Sequence, residues 1–274
     1  MALADAHLHL FSPGFNERYD ARWAAADELA RYEAFRAAHG IERGLVAGME
    51  LGDRFKGNND HLAGLAADND WMTPVAFVPV GPPPDLSGLW ARGFAGISLY
   101  VLEPGDAGRL AAWPDAALTA LNEHRAIVSI NALPAAMPGI ERFADALGGC
   151  IVLFSHLGLP GPHALPPTAP EVADRLDILL ALAGRPNVGV KLSALYAATD
   201  PPHAWPHEPA RPFVSVLLER FGPDRLYWGS DAPPALEHVS FAQTVDVLQG
   251  IAVTGPETDA IMGGNLLRVL DSRS

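Results

Sequence analysis

Short apolar runs at 4–10, 44–49, 74–80, 96–101, 126–131, 151–156, 188–192 and 226–231 punctuate the chain. Several are apolar on both faces, as in Ile127-Val128-Ser129-Ile130 and Ile151-Val152-Leu153-Phe154. Parallel strands covered on both sides need that pattern, because neither face meets water. Helical patterns fill most of the gaps. The stretch 19–39 is rich in Ala, Glu and Arg and stops at Gly40, a natural left-handed cap. Pro114 opens a second helix that ends near His124. In 170–183, Val172, Leu176, Leu179, Leu180 and Ala183 recur at the spacing of a buried helical stripe. The segments 213–221 and 240–248 follow in the same manner.

Strand–helix alternation repeated eight times predicts a single (β/α)8 TIM barrel of α/β class over 1–274. An open doubly wound sheet would carry a Gly-rich phosphate turn after its first strand, but here that strand runs into His9-Leu10-Phe11-Ser12-Pro13. Two stretches break the rhythm. Pro82-Pro83-Pro84 is a stiff loop, and 198–212 carries five prolines with His203, Trp205 and His207, a lid or a solvated loop.

The 274 residues are 49% hydrophobic and 19% charged, enough apolar material for one large core. Nineteen Lys and Arg against 32 Asp and Glu give a formal charge of −13. Such a surface repels phosphate backbones and anionic lipid, so the expected partner is a small molecule rather than nucleic acid or membrane. Pairing of copies into a homo-oligomer is compatible with a barrel of this kind. The lone Cys150 allows no internal disulfide, and no apolar run is long enough to span a bilayer. A soluble, cytoplasmic protein is the resulting expectation.

The sharpest local signal is Asp5-Ala6-His7-Leu8-His9. Residues two apart on a strand point the same way, so Asp5, His7 and His9 are predicted to share one face. If that face is the barrel interior, two imidazoles meet at the C-terminal mouth, where barrel enzymes keep their sites. Neutral imidazoles side by side make half a shell for a divalent transition metal; a pair of polar residues on a half-buried strand is the plainer reading. His156 closes the sixth run and Asp231 the eighth, which adds a third imidazole and a carboxylate at predicted strand ends.

The sequence resembles the amidohydrolase superfamily, in the amidohydrolase-2 branch that includes sugar-acid lactonases and 2-pyrone-4,6-dicarboxylate lactonase. The resemblance rests on DAHLHLF (5–11), GFAGISLY (93–100), SHLG (155–158), NVGVKLSALY (187–196), FGPDRLYWGSDAPP (221–234) and GGNLLRVL (263–270). It implies a distorted TIM barrel and places His7, His9, His156 and Asp231 at the metal and catalytic positions. Binuclear members of the superfamily add a bridging Lys or Glu from strand 4 and a His from strand 5. Here those strands read Ile97-Ser98-Leu99-Tyr100 and Ser129-Ile130-Asn131, so the resemblance implies one divalent ion, such as zinc or manganese, or none. Arginines to clamp a dicarboxylate are absent after strands 4 and 7, where Tyr100 and Tyr196 stand.

Opening a lactone takes a water nucleophile, a base for its proton and donors for the oxyanion. Asp231 is the candidate base. His7, His9 and His156 either ligate one metal, which acidifies the water and polarises the carbonyl, or act without metal as oxyanion and proton partners. Lys191 and Ser193 share a strand face. A Lys there either pairs with a carboxylate such as Asp5 or reaches substrate at the mouth. Tyr100, Tyr196, Asn131 and Glu50 lie at or just past predicted strand ends and are candidates to line the pocket, while Asn265 is expected to pin the last helix. Two competing readings stand beside a lactone hydrolase: a metal-dependent decarboxylase of aromatic or unsaturated acids, and a barrel without catalysis that serves as a binding protein.

Overall fold

The structure, a computed structural model, describes residues 2–273. Eight strands run in parallel in sequence order: β1 (Leu3–Leu8), β2 (Ile41–Ala47), β3 (Met72–Phe77), β4 (Gly96–Val101), β5 (Ile127–Ala132), β6 (Ile151–Phe154), β7 (Val188–Leu192) and β8 (Leu226–Trp228). The predicted (β/α)8 barrel is the observed fold. Each strand pairs with the next, and β8 returns to β1 beyond the regular ladder. The Asp231 amide donates to the His7 carbonyl (2.8 Å) and the His9 amide to the Ala232 carbonyl (2.7 Å). Gly229 makes this closure possible, because a Cβ there would lie 2.8 Å from the His7 Cβ and 2.9 Å from the His7 nitrogen. No helix among the described residues is long and apolar enough to cross a membrane.

Two apolar layers follow from the alternation of side chains along the strands. Ala4, Ala6, Leu45, Ala47, Val75, Ile127, Leu153 and Tyr227 meet inside the barrel, over a floor of Leu266 and Leu270 from the last helix (Asn265–Asp271). Leu8, Val46, Ile97, Leu99, Val128, Ile130, Val152 and Val190 pack outward under the helices. Both strand faces are therefore buried, as the two-sided apolar runs require. Asn265 pins the last helix as expected, donating through Nδ2 to the carbonyls of Pro223 and Leu226 (2.7 Å each).

The predicted 240–248 helix stops at Val245, and the helices depart from the sequence pattern further in two places. Only Glu28–His39 of the predicted 19–39 helix forms. Asp27 caps it, accepting from the Ala30 amide at 3.0 Å, and Ala21, Trp23 and Ala24 before it pack into an apolar cluster with Phe11, Phe15 and Phe55. Apolar burial wins there over helix propensity, which is worth only tenths of a kcal/mol per residue. The 170–183 stripe is broken at Leu176 into Ala169–Arg175 and Asp177–Ala181, yet Val172, Leu176, Leu179 and Leu180 are all buried as the stripe predicts.

Candidate active site

Asp5 does not share a face with His7 and His9. The β1–β2 pairing shifts register between Asp5 and Leu8, a bulge that breaks the two-residue alternation. Ala4 and Ala6 face the barrel interior, and the Asp5 carboxylate turns to the β1–β8 seam. There it accepts from the amides of His7 (3.0 Å) and Ser230 (2.9 Å) and from the Tyr32 hydroxyl (2.8 Å). Asp5 is thus a clasp that holds the seam, and its burial raises its pKa against those hydrogen bonds.

Past the bulge, His7 and His9 do point inward, and the ends of β6 and β8 bring His156 and Asp231 to them. The Nε2 atoms of His7, His9 and His156 lie 3.6, 3.8 and 4.0 Å from one oxygen, Oδ1 of Asp231. The imidazole rings meet edge to face, at centroid distances of 5.0 Å for His7–His9 and 4.5 Å for His7–His156. All four side chains are buried. Both late residues hold a left-handed backbone, φ 57° at His156 and 55° at Asp231. That conformation is unfavourable for a residue with a Cβ, and such strain gathers where a side chain must be aimed precisely.

Each group is fixed from behind. His9 Nδ1 lies 2.8 Å from the Ala47 carbonyl, which can only accept, so Nδ1 carries the proton and Nε2 presents its lone pair to the centre. His156 Nδ1 lies 2.9 Å from the Ser193 hydroxyl. The Tyr196 hydroxyl donates to Oδ2 of Asp231 at 2.7 Å, leaving Oδ1 free to face the imidazoles. His7 Nδ1 lies 3.1 Å from Lys191 Nζ and 3.3 Å from the Ser155 hydroxyl, while its Nε2 is buried without a hydrogen-bond partner.

Burial dominates the electrostatics. It lowers the imidazole pKa values, to about 4 for His9, to about 3 for His156 and well below the ordinary range for His7, so all three rings are neutral at pH 7. Burial also raises Asp231 to about 7, opposed by the Tyr196 hydrogen bond and the nearby Lys191. Lys191 is lowered to about 7 by the same loss of water, against the attraction of Asp5 and Asp231. A carboxyl poised near neutrality beside three neutral imidazoles can accept a proton and return it.

The donor set fits a divalent metal ion. His7, His9 and Asp231 offer ligand atoms that all lie within 4.8 Å of one another, and the buried, unpartnered Nε2 of His7 is an atom a metal would satisfy. Tyr100 and Asn131 stand paired in register near the ends of β4 and β5.

The remaining sequence candidates divide. Ser193 and Tyr196 join the site through His156 and Asp231. Tyr100 and Asn131 stand at the interior ends of β4 and β5 with the Tyr100 hydroxyl and Asn131 Oδ1 buried and unpartnered. Lys191 is fully buried beneath the imidazoles, on His7 and the Ser129 hydroxyl (2.7 Å), rather than paired with Asp5 or placed at the mouth. Glu50 is engaged elsewhere: its Oε1 accepts from the Asn59 amide at 2.8 Å in the first turn of the helix Asn58–Asp68. His203 is exposed, whereas His207 is buried beside Trp205 and Pro206 in a small cavity that also touches Tyr196. Ser129, Ser155 and Phe11, whose ring stacks on His9 at 5.9 Å, belong to the site without a sequence signal, since single serines and a phenylalanine on apolar runs look like core.

Known structures share the whole architecture. An amidohydrolase from Burkholderia multivorans with bound zinc superposes with a TM-score of 0.81 at 18% identity, over 99% of each chain. A probable 2-pyrone-4,6-dicarboxylic acid hydrolase from Acinetobacter baumannii with citric acid bound gives 0.75 at 18% identity, over 99% of this chain and 100% of that one. The 4-oxalomesaconate hydratase of Rhodopseudomonas palustris gives 0.64 at 14%, over 99% and 97%. At these identities the likeness is one of fold. No curated protein sequence matches the chain. A family model does, the amidohydrolase model Amidohydro_2 over residues 4–271, so with its barrel and its imidazole–carboxylate centre this chain belongs to the amidohydrolase family.

Proposed function

We propose that the protein hydrolyses a lactone or other cyclic ester at the barrel mouth, with Asp231 as general base. The observation that carries this reading is the convergence of three neutral imidazoles on one oxygen of a carboxyl whose pKa is about 7. Asp231 Oδ1 takes a proton from water as the water oxygen bonds to the ester carbonyl carbon. The carbonyl electron pair moves onto its oxygen, and His156, held by Ser193, stands where it can donate to that oxyanion. On collapse the ring C–O bond breaks, and Asp231 returns the proton to the departing alkoxide, giving a hydroxy acid. Tyr196 keeps Oδ1 turned toward the reaction by holding Oδ2.

His7, His9 and Asp231 would hold a single divalent ion, with His156 at its edge; when bound, such an ion acidifies water and polarises the carbonyl. In either case the chain contributes neutral rings over an apolar floor; without an ion it also contributes a base near its working pH.

The test is direct. Purified protein, with and without added zinc or manganese, is assayed by pH-stat against a lactone panel alongside Asp231→Asn. Lactone opening that falls at least about 10³-fold in the variant, with its melting transition intact, supports the reading. Undiminished activity of Asp231→Asn, or decarboxylation of aromatic acids with no lactone opened, overturns it.

A further inference from the structure

At the end of the barrel opposite the imidazoles, a hollow of about 200 Å³ opens between the starts of β5, β6 and β8 and the last helix. Arg125, Arg268 and Arg273 line it together with the phenol of Tyr227, and Asp224 is the one acidic side chain among the described residues of its wall. The chain carries 32 acidic residues against 19 basic ones, so three arginines around one hollow reverse the sign of their surroundings. A concave, locally positive site on an acidic protein focuses its field onto small anions.

The fold leaves these charges largely uncompensated. Arg125 donates to the Ser272 carbonyl at 3.2 Å, and Arg273 donates to the Arg125 carbonyl. Those bonds fix two guanidiniums in place without cancelling their charge, and among the described residues neither forms an ion pair. Arg268 reaches Asp224 only at 3.7 Å, with side chains 61% and 81% exposed, and such a surface pair adds little. Arg273 is partly buried, and burial together with the neighbouring Arg125 charge pushes its pKa below the ordinary value. Like charges gathered away from water are unfavourable until an anion joins them.

Donor counting selects the anion. A guanidinium offers donors and no acceptor. Tyr227 is 6% exposed, and burial pushes its pKa up to about 12, so the phenol keeps its proton as a further donor. It feels the charges of Arg268 and Asp224 on the same wall, and among the described residues its hydroxyl has no hydrogen-bond partner. The Asn265 amide is already committed, donating to the Pro223 and Leu226 carbonyls and accepting from Arg268. A carboxylate is planar and is satisfied by one bidentate arginine, whereas a tetrahedral phosphate presents oxygens in several directions and carries more charge. Capping of the last helix accounts for the Arg125 bond to Ser272, but not for Arg268 and Tyr227 lining the same hollow.

We infer that this hollow binds the phosphate group of a small anion, free or esterified, at a site separate from the imidazole centre. Binding there ties the last helix, which floors the barrel, to the starts of β5 and β8, so occupancy stabilises the fold. Inorganic phosphate, glycerol 3-phosphate and acetate serve as probes for titration calorimetry and thermal melts of the full chain, with sodium chloride at matched ionic strength as the control. Phosphate is expected to bind at one equivalent and, near saturation, to raise the melting temperature by at least about 2 °C over chloride. Acetate should do neither. Arg125→Gln and Arg268→Gln should each weaken phosphate binding at least about tenfold while still melting cooperatively in chloride. His7→Gln, at the far end of the barrel, should bind phosphate as wild type does. The tighter of the two phosphates names the source, the free ion or an ester, and either order supports the site. A melting shift no larger than that in chloride, affinity unchanged in both arginine variants, loss of binding in His7→Gln, or acetate bound as well as phosphate overturns the inference.

Discussion

Lys191 Nζ lies 3.1 Å from Nδ1 of His7, in the floor of the imidazole cluster rather than at its opening. With a pKa lowered to about 7 from an ordinary value near 10.4, the folded protein releases a proton that the unfolded chain keeps. Stability is therefore lost as pH falls from about 10 toward 7, and the full burden remains below that. Lys191→Met removes the burden and keeps the volume. Its melting temperature should exceed that of wild type at pH 6, by more than at pH 10, while kcat falls about ten- to hundred-fold as His7 and Ser129 lose their partner. A lower melting temperature at pH 6 with kcat intact would contradict this role.

Asp231 carries the opposite charge and the mirrored argument. Its folded pKa of about 7 lies above the unfolded value, so the folded state binds a proton more tightly and loses stability as pH rises from about 4 to 7. Asp231→Asn should melt higher than wild type at pH 8, with a difference that shrinks toward pH 4, even as turnover disappears. Thermal melts across that range check the sign.

The same carboxyl sets the pH profile of catalysis. In metal-free protein kcat/KM should fall about tenfold per unit below pH 7, as the base becomes protonated. Tyr196 donates to the carboxylate and lowers its pKa, so Tyr196→Phe should move the acid limb upward by about half to one unit. A limb that stays in place would separate Tyr196 from the base.

Metal binding is expected to stop at one equivalent, because His7, His9 and Asp231 form the one cluster of three such ligating groups among the described residues. Titration calorimetry with zinc should give a single site that weakens more than about a hundredfold in His7→Gln or His9→Gln and less in His156→Gln, whose Nε2 is the most distant from Asp231. Two equivalents of like affinity would be incompatible with a single ligand cluster.

Acid should unfold the protein early. The imidazoles are held neutral with pKa values of about 4 and 3 at His9 and His156, so the unfolded chain gains protons first as pH falls through 6.5. Stability drops between pH 6.5 and 4, and His156→Gln should flatten that slope in denaturant titrations.

The chain's own pattern determined much of this. Eight apolar runs, several of them two-sided, dictated a parallel barrel, because strands with no wet face need cover on both sides. Ending those runs with His, His, His and Asp marked where chemistry sits, since barrel strands deliver their last residues to one rim. Tertiary structure decided the rest. A single bulge in β1 sent Asp5 to the seam instead of the interior, and no periodicity can announce one extra residue. Glu50 at a helix start and Lys191 beneath His7 were assigned by partners 9 and 184 residues away along the chain. Hydrogen bonds and desolvation depend on which groups meet in space, and only the closed barrel specifies those meetings.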